Sequence, residues 1–138
     1  MNYTNTRILC VDDEANVLDA FKRTLRKDFE VSVAEGGEQA LAMIQNEKPF
    51  AVILSDMRMP RMNGIELLTR VKLIAPKTVR MMLTGNSDQQ TAIDAVNEGN
   101  IFRFLTKPCS VNDLAKAVDD GIAQFRLITA EKDLLQRT

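Results

Sequence analysis

Short apolar runs alternate five times with longer stretches whose apolar residues recur at helical spacing, and this alternation most limits how the chain can fold. When each strand is followed by a helix before the next strand begins, the strands pair in parallel and the helices cover both faces of the sheet. The pattern predicts a doubly wound α/β domain with strands near 7–11, 30–34, 50–55, 78–83 and 101–105. The third run, Ala51 to Leu54, is almost wholly apolar, as expected of a central strand buried on both faces.

The intervening stretches carry the marks of helices. Glu14 to Arg26 holds Val17, Leu18, Phe21 and Leu25 at steps of three and four, and Gly37 to Gln45 holds Ala40, Leu41 and Ile44. A third helix is expected from Gly64 to Ile74, stopping before Pro76. A fourth should begin near Ser87, which stands at capping-box spacing from Gln90, and end at Gly99. A fifth should start at Ser110. From Leu114 onward a seam of Leu114, Val118, Gly121, Phe125, Ile128, Lys132 and Leu135 steps by four and three, a heptad in which Gly and Lys are weak members. The early part of that helix should cover the sheet. Beyond about Phe125 three readings stay open: a helix that pairs with a second copy, the start of a linker at Leu134–Thr138, or a solvated helix end. Residues 1–125 are therefore expected to form the domain and 126–138 an extension of its last helix or a linker.

At 138 residues the chain has room for one sizeable core. Its net charge of −1 gives no general pull toward nucleic acid or an anionic membrane. The polar start, Met1 to Thr6, followed by an apolar run of about five residues, fits neither a signal-peptide core nor a spanning helix. A cytoplasmic location is expected. Cys10 and Cys109 lack metal-ligand spacing, and Cys10, inside a strand, should be a buried, inert thiol. The chain has no histidine. That removes the usual serine and cysteine triads, histidine bases and most catalytic zinc sites.

Chemistry-bearing residues close four of the apolar runs: Asp12 and Asp13 after the first, Asp56 after the third, Thr84 after the fourth and Lys107 after the fifth. In a sheet of this kind the C-terminal strand ends lie along one edge, where ligands bind. Three carboxylates, a hydroxyl and an ammonium gathered there suit a hard divalent cation and a phosphoryl group. Aspartate is a known nucleophile toward phosphorus, so Asp56 can become an acyl phosphate. Two further carboxylates beside it would oppose its ionisation and repel an incoming dianion unless a metal neutralised the cluster. Mg²⁺ fits, with Asp13 and Asp56 as direct ligands, Asp12 holding a metal-bound water and the backbone carbonyl of Arg58 supplying a further oxygen. Lys107 is a point charge suited to a phosphate oxygen or to Asp56, Pro108 gives the bond before it a real chance of being cis, and Thr84 offers a hydroxyl donor.

Taken singly, each piece has an ordinary explanation. Asp12-Asp13-Glu14 can be acidic capping of a helix, Asp56 a strand end, Thr84 a β-branched residue in a strand and Lys107 a solvated charge. Their joint position at the same end of consecutive strands is what argues for a site. Two rivals remain beside a phosphoacceptor: an aspartate-nucleophile phosphatase, which would want a second aspartate where Arg58 stands, and a protein-binding module with a relic site.

Asp12-Asp13, Asp56 with Pro60 and Gly64, Thr84-Gly85 and Lys107-Pro108, in that order, resemble the receiver domain of two-component response regulators from about Arg7 to about Phe125. The resemblance implies a flavodoxin-like, three-layer αβα fold with five parallel strands in the order 2-1-3-4-5. It makes Asp56 the phosphoacceptor, Asp12 and Asp13 the acidic Mg²⁺ pocket, Lys107 the phosphate-pairing lysine, Thr84 the switch hydroxyl and Phe104 the switch aromatic. It also implies a sensor histidine kinase or phosphotransfer protein as donor. An output domain or effector would be controlled through helix 4, strand 5 and helix 5, with homodimerisation through the last helix and no direct contact with nucleic acid or membrane. Many members carry Gly-Ala where this chain has Gly99-Asn100, and Asn97 to Pro108 looks like the subgroup fused to HD-GYP-type cyclic-dinucleotide phosphodiesterases. Arg58 and Asn86 fall at positions that line the approach to the phosphoryl group, so its lifetime cannot be inherited from the family.

Overall fold

The computed structural model describes the backbone of residues 5–137 and the side chains of residues 5–130. Five strands, β1 (Arg7–Val11), β2 (Glu30–Ala34), β3 (Val52–Asp56), β4 (Val79–Thr84) and β5 (Arg103–Thr106), alternate with helices α1 (Ala15–Leu25), α2 (Gly37–Asn46), α3 (Gly64–Ile74), α4 (Gln89–Asn97) and α5 (Val111–Arg137). All four strand pairings are parallel and the sheet order is β2-β1-β3-β4-β5, as expected.

Strand alternation divides the core in two. Ile8, Cys10, Val52, Leu54, Met81 and Leu83 face one layer, where Leu18 and Leu25 of α1 and Leu114, Val118 and Ile122 of α5 pack against them. Leu9, Val11, Ile53 and Met82 face the other, against Ala40 of α2, Leu67, Leu68 and Val71 of α3, and Ala95 of α4. Every residue of β3 is buried, which explains its unbroken apolar run. All four β5 residues are only half-buried, because β5 is the sheet edge.

The helix ends follow local chemistry. Asn63 caps α3 by accepting from the Glu66 N–H at 2.9 Å, and the Ser110 hydroxyl accepts from the Asp113 N–H at 3.1 Å where α5 begins. Gly99, at φ 76°, closes α4: its N–H reaches the Val96 carbonyl and the Asn100 N–H reaches that of Ala95.

Several expectations shift. Ser87 does not cap α4. It lies within a 3₁₀ turn, Asn86–Asp88, and α4 follows with Asp88 at its N-cap, while the Gln90 side chain bonds Asp94. The last strand starts at Arg103 rather than 101 because the Phe102 N–H is already bonded to the Arg80 carbonyl, outside the ladder. Gly121 is no weak heptad member: a Cβ there would lie 3.0 Å from Val52 Cγ2 and 3.2 Å from Met81 Sδ, so its bareness lets α5 approach the sheet. Of the remaining seam residues, Phe125 is buried and Ile128 packs against the same core, whereas Lys132 and Leu135 lie outside the described side chains. Thr138 and the opening residues 1–4 lie outside the described residues altogether.

Candidate phosphoryl-transfer site

Register brings the separated motifs to one edge. Val11 pairs with Ser55, Asp56 with Leu83, and Thr84 with Thr106, so β1, β3, β4 and β5 end side by side. Backbone hydrogen bonding continues past the strands and fastens the residues that follow. Asp12 N–H donates to the Ala34 carbonyl at 3.2 Å, Met57 N–H to Leu83 at 2.9 Å and Lys107 N–H to Thr84 at 2.9 Å.

One carboxylate oxygen from each of Asp12, Asp13 and Asp56 lies within 4.8 Å of the others. Asp12 and Asp56 are buried and Asp13 is exposed. The Asp12 Oδ1 accepts from the Glu14 N–H at 2.9 Å. Burial pushes the Asp12 carboxyl above the usual range, helped by the charges of Asp56 and Asp13 and opposed by the Glu14 N–H and Lys107. Such a cluster favours a cation. Its donors are all oxygen, the set that Mg²⁺ prefers.

Lys107 brings a cation to this cluster, its Nζ forming an ion pair with Asp56 Oδ1. The bond between Lys107 and Pro108 is cis. Thr84 is buried and its hydroxyl donates to the Gly85 carbonyl at 3.2 Å. Phe104 is half-buried on the face of β5 that joins the α3–α4 layer. The structure thus gathers Asp12, Asp13, Asp56 and Lys107 through direct proximity, and sets Thr84 on the strand next to that of Asp56 and Phe104 on the strand beyond it.

Sequence reasoning missed two features. Gly64 packs onto the Asp56 backbone, and its N–H donates to the Met57 carbonyl at 2.9 Å. Arg58 forms a bidentate ion pair with Asp88, a residue not singled out by any motif. No spacing signal joins them, since they lie on different loops. The pairing also places a committed guanidinium where an aspartate-nucleophile phosphatase would need an acid. Cys10, by contrast, meets expectation: it is buried and its thiol is pushed up to about 12 by burial.

Among the described residues no helix is long and apolar enough to cross a membrane. The model of the response regulator receiver domain family matches residues 8–119. The hydrogenase transcriptional regulatory protein HoxA of Bradyrhizobium diazoefficiens is 37% identical over 120 residues, covering 87% of this chain and 24% of that relative. The chain thus spans about a quarter of the length of HoxA. A crystal structure described as adenylate cyclase from Rhodopirellula baltica is 50% identical with a TM-score of 0.96, covering 97% of this chain and 99% of that one. The signal receiver domain of an HD domain-containing protein from Pseudomonas fluorescens is 29% identical with a TM-score of 0.80, over 88% and 97% of the two chains.

Proposed function

Since this chain belongs to the response regulator receiver domain family, as a receiver of a two-component system, we propose that Asp56 is its phosphoacceptor, taking the phosphoryl group from a phosphohistidine of a sensor kinase or phosphotransfer protein. The observation that carries this reading is the ion pair of Lys107 with Asp56 inside the three-aspartate cluster. A carboxylate held at a sheet edge by a lysine, with further acidic groups beside it, is equipped to attack phosphorus and to have its product neutralised.

In the transfer a carboxylate oxygen of Asp56 bonds to phosphorus as the phosphorus–nitrogen bond of the donor breaks, and the bonding pair stays with the imidazole nitrogen. The carboxylates of Asp12, Asp13 and Asp56 and the backbone carbonyl of Arg58 would hold Mg²⁺. When bound, Mg²⁺ neutralises the cluster and the phosphoryl oxygens. Lys107 exchanges its hold on Asp56 for a phosphoryl oxygen. The Thr84 hydroxyl turns from the Gly85 carbonyl to donate to another, and the space it leaves admits the Phe104 ring from its half-buried position. The chain acts as a regulatory phosphoacceptor that promotes its own phosphorylation and dephosphorylation.

The altered surface comprises α4, β5 and α5. To move it from about 1:99 to 99:1 requires about 5.5 kcal/mol of differential stabilisation, so a shifted equilibrium fits better than an all-or-none switch. Residues 1–125 form the receiver unit, and 126–138 carry the signal outward, to an output domain or to a second copy through the end of α5. The relatives' descriptions differ in output: a transcriptional regulator, an adenylate cyclase and an HD-domain protein. An HD-GYP-type output draws support from the last of these and from the Asn97–Pro108 stretch alone. A cytoplasmic location follows from the kinase partner.

Intact mass after incubation with acetyl phosphate tests the proposal. A gain of one phosphoryl group with Mg²⁺, lost in chelator and in Asp56→Asn, is expected. An equal gain in Asp56→Asn overturns it.

A further inference from the structure

Arg58 and Asp88 stand on loops that leave neighbouring strands β3 and β4, and they close a bridge between those loops. Arg58 Nε donates to Asp88 Oδ2 at 2.7 Å and Nη2 to Oδ1 at 2.8 Å. The two partners differ in freedom. The Arg58 side chain is 75% exposed and that of Asp88 only 12%, so the arginine can swing on its long stem while the carboxylate stays in place.

Asp88 also occupies the N-cap of α4, where an aspartate ordinarily accepts from backbone amides of the first turn. It makes no such bond. Both of its oxygens serve Arg58 instead, and the helix is entered through the 3₁₀ turn Asn86–Asp88. The Asp88 backbone, at φ −110° and ψ 8°, belongs to that turn and not to the extended region of a capping residue, so the ion pair and the turn together keep Asp88 off its own helix.

A phosphoryl group on Asp56, two residues before Arg58, changes the competition for the guanidinium. It brings about −1.5 to −2 charges and three acceptor oxygens, against the single charge of Asp88. Planar bidentate pairing with phosphate is what arginine does best. A carboxylate released at low exposure needs new donors, and the amides of Gln90 and Thr91 are those an N-cap side chain reaches.

We propose that Arg58 couples phosphorylation of Asp56 to the first turn of α4: without phosphate it clasps Asp88, and the phosphoryl group draws it away so that Asp88 caps the helix. Arg58 is a positioning residue for this step. The proposal deepens, and rests on, the reading of Asp56 as phosphoacceptor.

Amide hydrogen exchange at Gln90 and Thr91 tests it, with phosphoryl occupancy followed by intact mass in the same samples. In the natural chain, acetyl phosphate with Mg²⁺ should slow both amides about fivefold, the size of a typical N-cap. In Arg58→Ala both should already be slow without phosphate, and at matched occupancy phosphate should change them little. In Asp88→Ala neither state should show the slow exchange. Phosphoryl gain with unchanged amides in the natural chain, or fast amides in unphosphorylated Arg58→Ala, overturns the clasp while leaving Asp56 in its role. Failure of the natural chain to gain phosphate overturns the reading of Asp56 and the coupling together.

Discussion

A Cβ placed on Gly64 would lie 2.5 Å from the Asp56 carbonyl oxygen and 3.1 Å from Met57 Cα. The start of α3 therefore packs onto the backbone of the residue proposed to carry phosphate, and the obstacle is main chain rather than a side chain able to turn aside. Gly64→Ala is expected to cost about 1–3 kcal/mol in urea unfolding, as overpacking does. It should also slow phosphoryl uptake, because the main chain around Asp56 must move. An unchanged midpoint would show that the contact relaxes without cost.

At Gly121 two effects oppose each other. Alanine would gain up to about 1 kcal/mol of helix propensity, yet its Cβ would press on Val52 and Met81 at 3.0 and 3.2 Å. Gly121→Ala should thus fall within about 1 kcal/mol of the natural chain, whereas Gly121→Val, with two further carbons, should lose about 1–3 kcal/mol. Equal stability of Gly121→Val would mean that α5 does not pack this closely.

On the proposed reading Lys107 and a divalent cation would compete for Asp56, since both would neutralise the same carboxylate. Lys107→Ala is expected to bind Mg²⁺ more tightly by calorimetry. It should also take phosphate from acetyl phosphate on the order of 10²-fold more slowly, as when one charge-stabilising donor is lost. Weaker Mg²⁺ binding in the variant would place the lysine outside this competition.

Ionised Asp12 should weaken the fold when no cation accompanies it. Its carboxyl lies above the usual range through burial, then the charges of Asp56 and Asp13, against the Glu14 N–H and Lys107. A raised folded-state value means that the folded chain binds more protons, so stability falls as pH rises from the unfolded value of about 3.9 through the folded one. Asp12→Asn is expected to raise the urea midpoint at pH 7 in chelator, with the gain shrinking toward about pH 3, where both forms are neutral. A lower midpoint at pH 7 would contradict this.

What could be read in the sequence was what periodicity and strand-end position encode. β3 is legible because both of its faces are buried, and Asp56, Thr84 and Lys107 stand out as candidates because each follows an apolar run. Features set by contacts between loops were not legible. Asp88 follows no motif, and its partner Arg58 stands on the loop of a different strand. Ser87 has the spacing of a cap, but it lies inside the 3₁₀ turn Asn86–Asp88, which helical periodicity does not record. Gly121 looked like a weak seam position because a heptad pattern records what a helix presents, not how closely a sheet lies beneath it.

Locating the acyl phosphate tests the central claim most directly. The chain would be phosphorylated with acetyl phosphate and Mg²⁺, treated with borohydride to reduce the acyl phosphate, and its peptides analysed by mass. Conversion of Asp56 alone to homoserine is the predicted result. Conversion at Asp12 or Asp13, or none at Asp56 despite a gain of phosphate in the intact chain, would contradict it.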